Sequence, residues 1–160
     1  MLARGISAAV IVVLLDQLSK AAILAHVVGA GFASERITGF FNLVLTYNRG
    51  MSFGLFNTGA RSGAGLNALL FSLAAAAIVA GLVYWLSRVS SPLLAIAIGL
   101  IIGGAVGNVV DRLRLGAVVD FLDFHIGYWH WPAFNVADSA ICVGVAAMLL
   151  DGLLLHREAH

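Results

Sequence analysis

Four long apolar stretches, each close to the roughly 20 residues that a helix needs to cross a bilayer, constrain this chain more than any other feature. The cleanest runs from residue 66 to 86 with no charged side chain. A second covers 93–110 and is glycine-rich at its end. A third covers 133–155, with Asp138 near its start and Asp151 near its end. The fourth, 5–28, is broken only by Asp16 and Lys20. With 61% hydrophobic and 11% charged residues over 160 positions, the composition lies far from that of soluble globular domains. The expected fold is an all-α polytopic membrane protein, a single domain over residues 1–160. Its four transmembrane helices are expected at about 5–28, 66–86, 93–113 and 133–155.

The first stretch resembles a cleavable signal peptide, because Arg4 precedes an apolar run over 6–15. Asp16, Gln17 and Lys20 stand where a small-residue cleavage site belongs, so a retained first helix is expected. Asp16 and Lys20 are one helical turn apart and can pair. The single cysteine, Cys142, allows no intrachain disulfide. A net charge of +1 without a basic cluster gives no reason to expect nucleic acid.

Four spans put both termini on one side of the membrane, with two larger connections, about 28–65 and 113–132, on the other. Phe40 to Tyr47 is β-branched and aromatic, Asn48-Arg49-Gly50 reads as a turn, and Met51 to Phe56 has apolar residues at alternate positions. A small β element on the membrane surface is therefore expected at about 38–57. Charge does not orient the chain. Arg4, Arg88 and Arg157 lie on the side of the termini, and Arg36, Arg49, Arg61 and Arg114 lie on the other.

Chemistry-bearing residues fall in three short strings: Gly103-Gly104-Ala105-Val106-Gly107-Asn108-Val109-Val110-Asp111-Arg112, Val118-Val119-Asp120-Phe121, and Phe134-Asn135-Val136-Ala137-Asp138. Ionisable groups within apolar stretches are costly and mark functional positions. Consecutive antiparallel helices bring the end of the third and the start of the fourth to one membrane face, so Asp120 and Asp138 can meet there. Two close carboxylates in a poorly hydrated site cannot both ionise easily. The ionised member can then take a proton from water while the neutral one polarises a carbonyl. Blander readings apply elsewhere: Asp16 with Lys20 as a structural ion pair, Asp111 with Arg112 as a packed interfacial pair, Gly103, Gly104 and Gly107 as close-packing positions, and Trp129 and Trp131 as interface anchors. His125 and His130 lack metal-ligand spacing. No metal and no cofactor are expected.

These strings, in this order, resemble the lipoprotein signal peptidase (signal peptidase II) family of bacterial membrane aspartic peptidases. Asp16-Gln17-Leu18-Ser19-Lys20 resembles that family's first-helix D-Q-x-[ST]-K motif, and the segment Tyr47 to Phe53 its N-x-G-x-[AS]-F motif, with Met51 where Ala or Val is commoner. The resemblance implies removal of signal peptides from diacylglyceryl-modified prolipoproteins, with cleavage just before the lipid-bearing cysteine. It matches Asp120 and Asp138 to the catalytic aspartates. Asn48, Gly50, Gly104, Asn108, Arg112 and Asn135 match positions lining or supporting the site, and Asp16 and Lys20 match the first-helix pair. It further implies a multi-pass protein of the bacterial inner membrane with cytoplasmic termini and a site near the outer leaflet. Its partners would be the prolipoprotein and membrane lipid, and the chain would act as a monomer. The rival reading is a small proton-coupled transporter, which should carry internal repeats and broken helices; no repeat is visible. A lipid head-group transferase would want metal-binding aspartates clustered on one helix, and Asp111, Asp120 and Asp138 are too dispersed. Serine and metal routes to intramembrane proteolysis lack their G-x-S-x-G and H-E-x-x-H motifs.

Overall fold

A computed structural model describes residues 1–31, 34–50 and 64–157. Four long helices account for most of it: α1 (Leu2–Ala30), α2 (Ala64–Leu86), α3 (Pro92–Leu115) and α4 (Val136–Arg157). Each is long and apolar enough to cross a membrane. α3 is the central helix, packed against α1, α2 and α4. Half of its apolar window is buried, against 11–22% for the other three, whose remaining apolar faces point outward. Leu18, Leu73 and Leu153 are typical of those outward faces, which suit lipid rather than water.

Small residues explain how closely the helices approach. A β-carbon added at Gly103 would lie 2.6 Å from the Ala9 carbonyl oxygen of α1. One at Gly104 would collide with the Ala137 carbonyl of α4, and one at Gly144 would come within 2.7 Å of the Ala97 carbonyl of α3. These are backbone-to-backbone contacts of the kind that hold helices together where lipid removes the hydrophobic drive. Gly107 differs, because a β-carbon there would meet the Asp16 carboxylate at 2.6 Å. The glycine string thus serves packing at Gly103 and Gly104 and leaves room for a charged side chain at Gly107.

The β element is larger than its sequence suggested. It is a four-stranded antiparallel sheet in the order β1 (Ser34–Arg36), β2 (Phe41–Asn48), β3 (Val118–Ile126), β4 (Trp129–His130). The expected partner of β2, the segment Met51 to Phe56, lies outside the described residues. Among the described residues, β2 pairs with β1 on one side and with β3, from the connection between α3 and α4, on the other. The register sets Thr46 opposite Asp120 and Asn48 opposite Val118, with an irregularity between Leu43 and Thr46. Gly116 makes this pairing possible. In the left-handed conformation (φ 71° is matched at Gly31, φ 69° here) it ends α3 and donates its N–H to the Arg112 carbonyl at 3.0 Å. The chain then turns directly into β3, which carries Asp120 back across the end of α3.

Candidate active site

Asp120, Asp138, Asn48, Asn108 and Asn135 are all buried, and their side chains interlock. Asp120 accepts hydrogen bonds from Asn135 Nδ2 at 2.7 Å on one oxygen and from Asn48 Nδ2 at 3.1 Å on the other. Asp138 accepts from Asn108 Nδ2 at 2.9 Å, and its own N–H donates to Asn135 Oδ1 at 2.9 Å. Asn135 therefore ties the two carboxyl-bearing residues together with the two ends of one amide. It stands just before α4, where its side-chain oxygen accepts an otherwise unbonded N–H of the first turn. Asn48 Oδ1 accepts from the Gly50 N–H at 3.0 Å, which folds the chain after β2 into a tight turn. The Gly50 carbonyl in turn accepts from Arg112 Nη2 at 3.2 Å.

A second charged layer lies beneath. Lys20 Nζ is buried between Asp16 Oδ2 at 2.8 Å and Asp111 Oδ2 at 2.7 Å, and it donates to Asn108 Oδ1 at 3.3 Å. The expected Asp16–Lys20 pair is present, but it is two-thirds of a trio. Asp111 does not pair with Arg112 as their adjacency suggested. It faces Lys20 and also accepts from the Val119 N–H at 3.1 Å, while Arg112 reaches Gly50 and sits 5.6 Å from the Phe71 ring centre. Gln17, between Asp16 and Lys20 on α1, joins this layer. Its Nε2 spans Asp111 Oδ1 at 2.9 Å, Asp16 Oδ2 at 3.1 Å and the Gly107 carbonyl at 3.3 Å. Asp16 Oδ1 accepts from the Ala137 N–H at 3.0 Å, which joins α1 to the first turn of α4. Of the ten residues singled out in the sequence, nine make these contacts directly. Gly104 takes part through the backbone approach of α3 and α4.

Asn42 and Asp123 went unremarked in the sequence. Asn42 Nδ2 donates to Asp123 Oδ2 at 2.7 Å, and Asp123 also meets His130 Nδ1 at 2.9 Å. Alternation along β3 puts Asp123 on the face opposite to Asp120, so this cluster ties the sheet together away from the dyad.

Burial first, and then the charge of Asp138, push Asp120 up to about 7, against the pull of hydrogen bonds from Asn48 and Asn135 and the charge of Lys20. The ordinary value is 3.8. Between the two, the folded chain holds a proton that the unfolded chain has released. This carboxyl's contribution to stability is therefore full below about pH 4 and is lost as pH rises through about 7. The melting temperature in detergent should fall between about pH 4 and about pH 7 and level off above that, driven by up to about 1.4 kcal/mol per pH unit in the steep region. Asp120→Asn, neutral throughout, should flatten that fall. An unchanged slope in the variant would assign it to another group.

The family model described as signal peptidase (SPase) II matches residues 8–154. The lipoprotein signal peptidase of Paraburkholderia phymatum is 48% identical over 159 residues, covering 99% of this chain and 92% of that protein. That of Burkholderia cenocepacia is 45% identical over the same coverage. Among solved structures, a bacterial membrane enzyme determined by the in meso method superposes with a TM-score of 0.74 at 31% identity, covering 93% of this chain and 87% of the other. A second such structure superposes with a TM-score of 0.71 at 29% identity, covering 93% and 92%.

Proposed function

Since the chain belongs to the signal peptidase II family, we propose that it removes the signal peptide of diacylglyceryl-modified prolipoproteins, cutting just before the lipid-bearing cysteine with Asp120 and Asp138 as a water-activating dyad. The observation that carries this reading is Asn135, whose one amide bonds Asp120 at 2.7 Å and the Asp138 backbone at 2.9 Å. In this reading the two buried carboxyl groups share one proton.

The ionised carboxylate takes a proton from water, and the resulting hydroxide attacks the scissile carbonyl carbon. The protonated carboxyl gives its proton to the carbonyl oxygen, producing a neutral gem-diol. Collapse of that intermediate breaks the C–N bond: the leaving amine receives the proton taken from water, the other carboxylate takes a proton from a gem-diol hydroxyl as the new carboxyl group forms, and the dyad returns to its single-proton state. The hydrogen bonds from Asn48, Asn108 and Asn135 keep each carboxyl in one orientation through both steps, so little reorganisation is needed.

The substrate has an apolar signal segment that must reach the dyad from the bilayer. A groove of about 270 Å³ runs between α2 and α4 over α3, lined by Phe71, Ala74, Ala105 and Ile141 and ending at Asn108 and Arg112. We assign the signal segment to this groove, with the termini cytoplasmic and the dyad near the outer leaflet. The deciding experiment incubates purified protein with a diacylglyceryl-modified prolipoprotein and with its unlipidated form. Cleavage of the lipidated form is expected, and cleavage of neither would overturn the reading.

Because the carboxyl groups act on water directly, exhaustive chelation with EDTA should leave the cleavage rate unchanged. Loss of activity that added zinc restores would place Asp120 and Asp138 around a metal instead.

A further inference from the structure

Resting on that reading, we propose that Lys20 is a positioning residue of the reaction, acting on Asp138 through the Asn108 amide. Its buried charge makes Asp138 the ionised member of the dyad, which takes the proton from water, and leaves the shared proton on Asp120.

Three amides aim N–H groups at the dyad, and the oxygen of each is anchored from behind. Asn48 is anchored by the Gly50 N–H at 3.0 Å and Asn135 by the Asp138 N–H at 2.9 Å, and both donate to Asp120. Asn108 donates to Asp138, and its oxygen accepts from Lys20 Nζ and from Asn135 Nδ2, each at 3.3 Å. Neither of these two donors can accept, so the Asn108 amide cannot turn over and its N–H must face Asp138. Among these anchoring groups, Lys20 alone carries a formal charge. An ammonium group behind the oxygen polarises the amide and strengthens the N–H donor at its other end.

The surroundings of the two carboxyl groups differ in the same sense. Asp138 stands in the first turn of α4, whose unpaired N–H groups favour a carboxylate. Asp120 lies on β3, where two neutral amide donors favour its ionised form. Burial and the charge of Asp138 outweigh them and push Asp120 up to about 7. Lys20 and Asp16 face Asp138 from α1, Arg112 from α3 and Asp120 from β3, with Asp111 behind Lys20 and the Cys142 thiol one turn further along α4. No charged side chain comes from α2. Asp16 and Lys20 act on Asp138 with opposite signs. The layer beneath the dyad therefore does more than hold helices together. It assigns the base and the acid before a substrate arrives, so that no proton has to be rearranged on binding.

The first measurement needs no change at Lys20. Protein labelled with carbon-13 at its aspartate carboxyl groups is observed by NMR in detergent at about pH 6, between the ordinary aspartate range and the value reached by Asp120. The signal that Asp138→Asn deletes should lie, in the unmodified protein, in the carboxylate range. The signal that Asp120→Asn deletes should lie in the carboxylic-acid range. The second measurement removes charges of opposite sign from the one buried layer and follows the pH profile of kcat/KM for a lipidated prolipoprotein. Lys20→Met should move the acid limb upward by about one pH unit, the lower end of what a nearby opposite charge does. Asp16→Asn, which still accepts from the Ala137 N–H, should move it downward. A role in packing alone would slow both variants without moving the limb. If Lys20→Met fails to fold, the carbon-13 signals and Asp16→Asn decide the matter. Signals in the reverse order, an acid limb that stays in place, or limbs that move the same way in both folded variants would overturn the assignment. Failure of the unmodified protein to cleave the prolipoprotein would overturn the peptidase reading instead, and the carbon-13 measurement requires no turnover.

Discussion

Asp120→Asn and Asp138→Asn should each lower cleavage of a lipidated prolipoprotein by about 10³-fold or more, while the protein still inserts and folds. The substitution is close to isosteric: at position 138 an amide oxygen can still accept from Asn108, and at position 120 it can keep one of the two hydrogen bonds that Asn48 and Asn135 donate. What it loses is the ability to take a proton from water or to deliver one to a carbonyl oxygen. The measurement is turnover per folded molecule in detergent, with melting temperature as the control for folding. Turnover above a few per cent of the parent in either variant would remove that residue from the dyad. Asp111 would not be a ready replacement, because both its oxygens are committed to Lys20, Gln17 and the Val119 N–H.

The four helices were legible because a bilayer demands an apolar run of known length, and each such run carries its own backbone hydrogen bonds. Asp120 and Asp138 were legible for the same reason, as charges that an apolar chain tolerates only for a purpose. The sheet was half legible. The β-branched and aromatic composition of Phe40 to Tyr47 marked a strand, yet its partner β3 is remote in sequence, and Val118 to Ile126 carries Asp120 and Asp123 on opposite faces, which blurs the pattern. The pairing of Asp111 was misread from adjacency. Neighbours on a helix point about 100° apart, so Arg112 turns towards Gly50 while Asp111 turns towards α1. The one-turn spacing of Asp16 and Lys20 revealed their contact, but no pattern within α1 could announce that a carboxylate from α3 completes it.

That third carboxylate changes which residue of the buried layer matters most. Lys20 stands alone between two carboxylates, with Asp16 and Asp111 both buried. Lys20→Met should therefore leave two uncompensated charges and cost at least the ~3–5 kcal/mol typical of stranding one partner of a buried pair. Asp16→Ala should cost less. Lys20 keeps Asp111 at 2.7 Å, and the principal new defect is the Ala137 N–H, left without its acceptor at about 1–3 kcal/mol. Adding Asp16→Asn to Lys20→Met should recover part of the loss, since the amide still accepts from Ala137 and one stranded charge is gone. Melting temperatures in detergent should then rank parent, Asp16→Ala, the double variant and Lys20→Met in descending order. Asp16→Ala melting as low as Lys20→Met would show that Asp111 does not hold Lys20 in place. Cleavage per folded molecule completes the comparison: normal stability with abolished turnover in Asp16→Ala would move Asp16 from the supporting layer into the reaction itself.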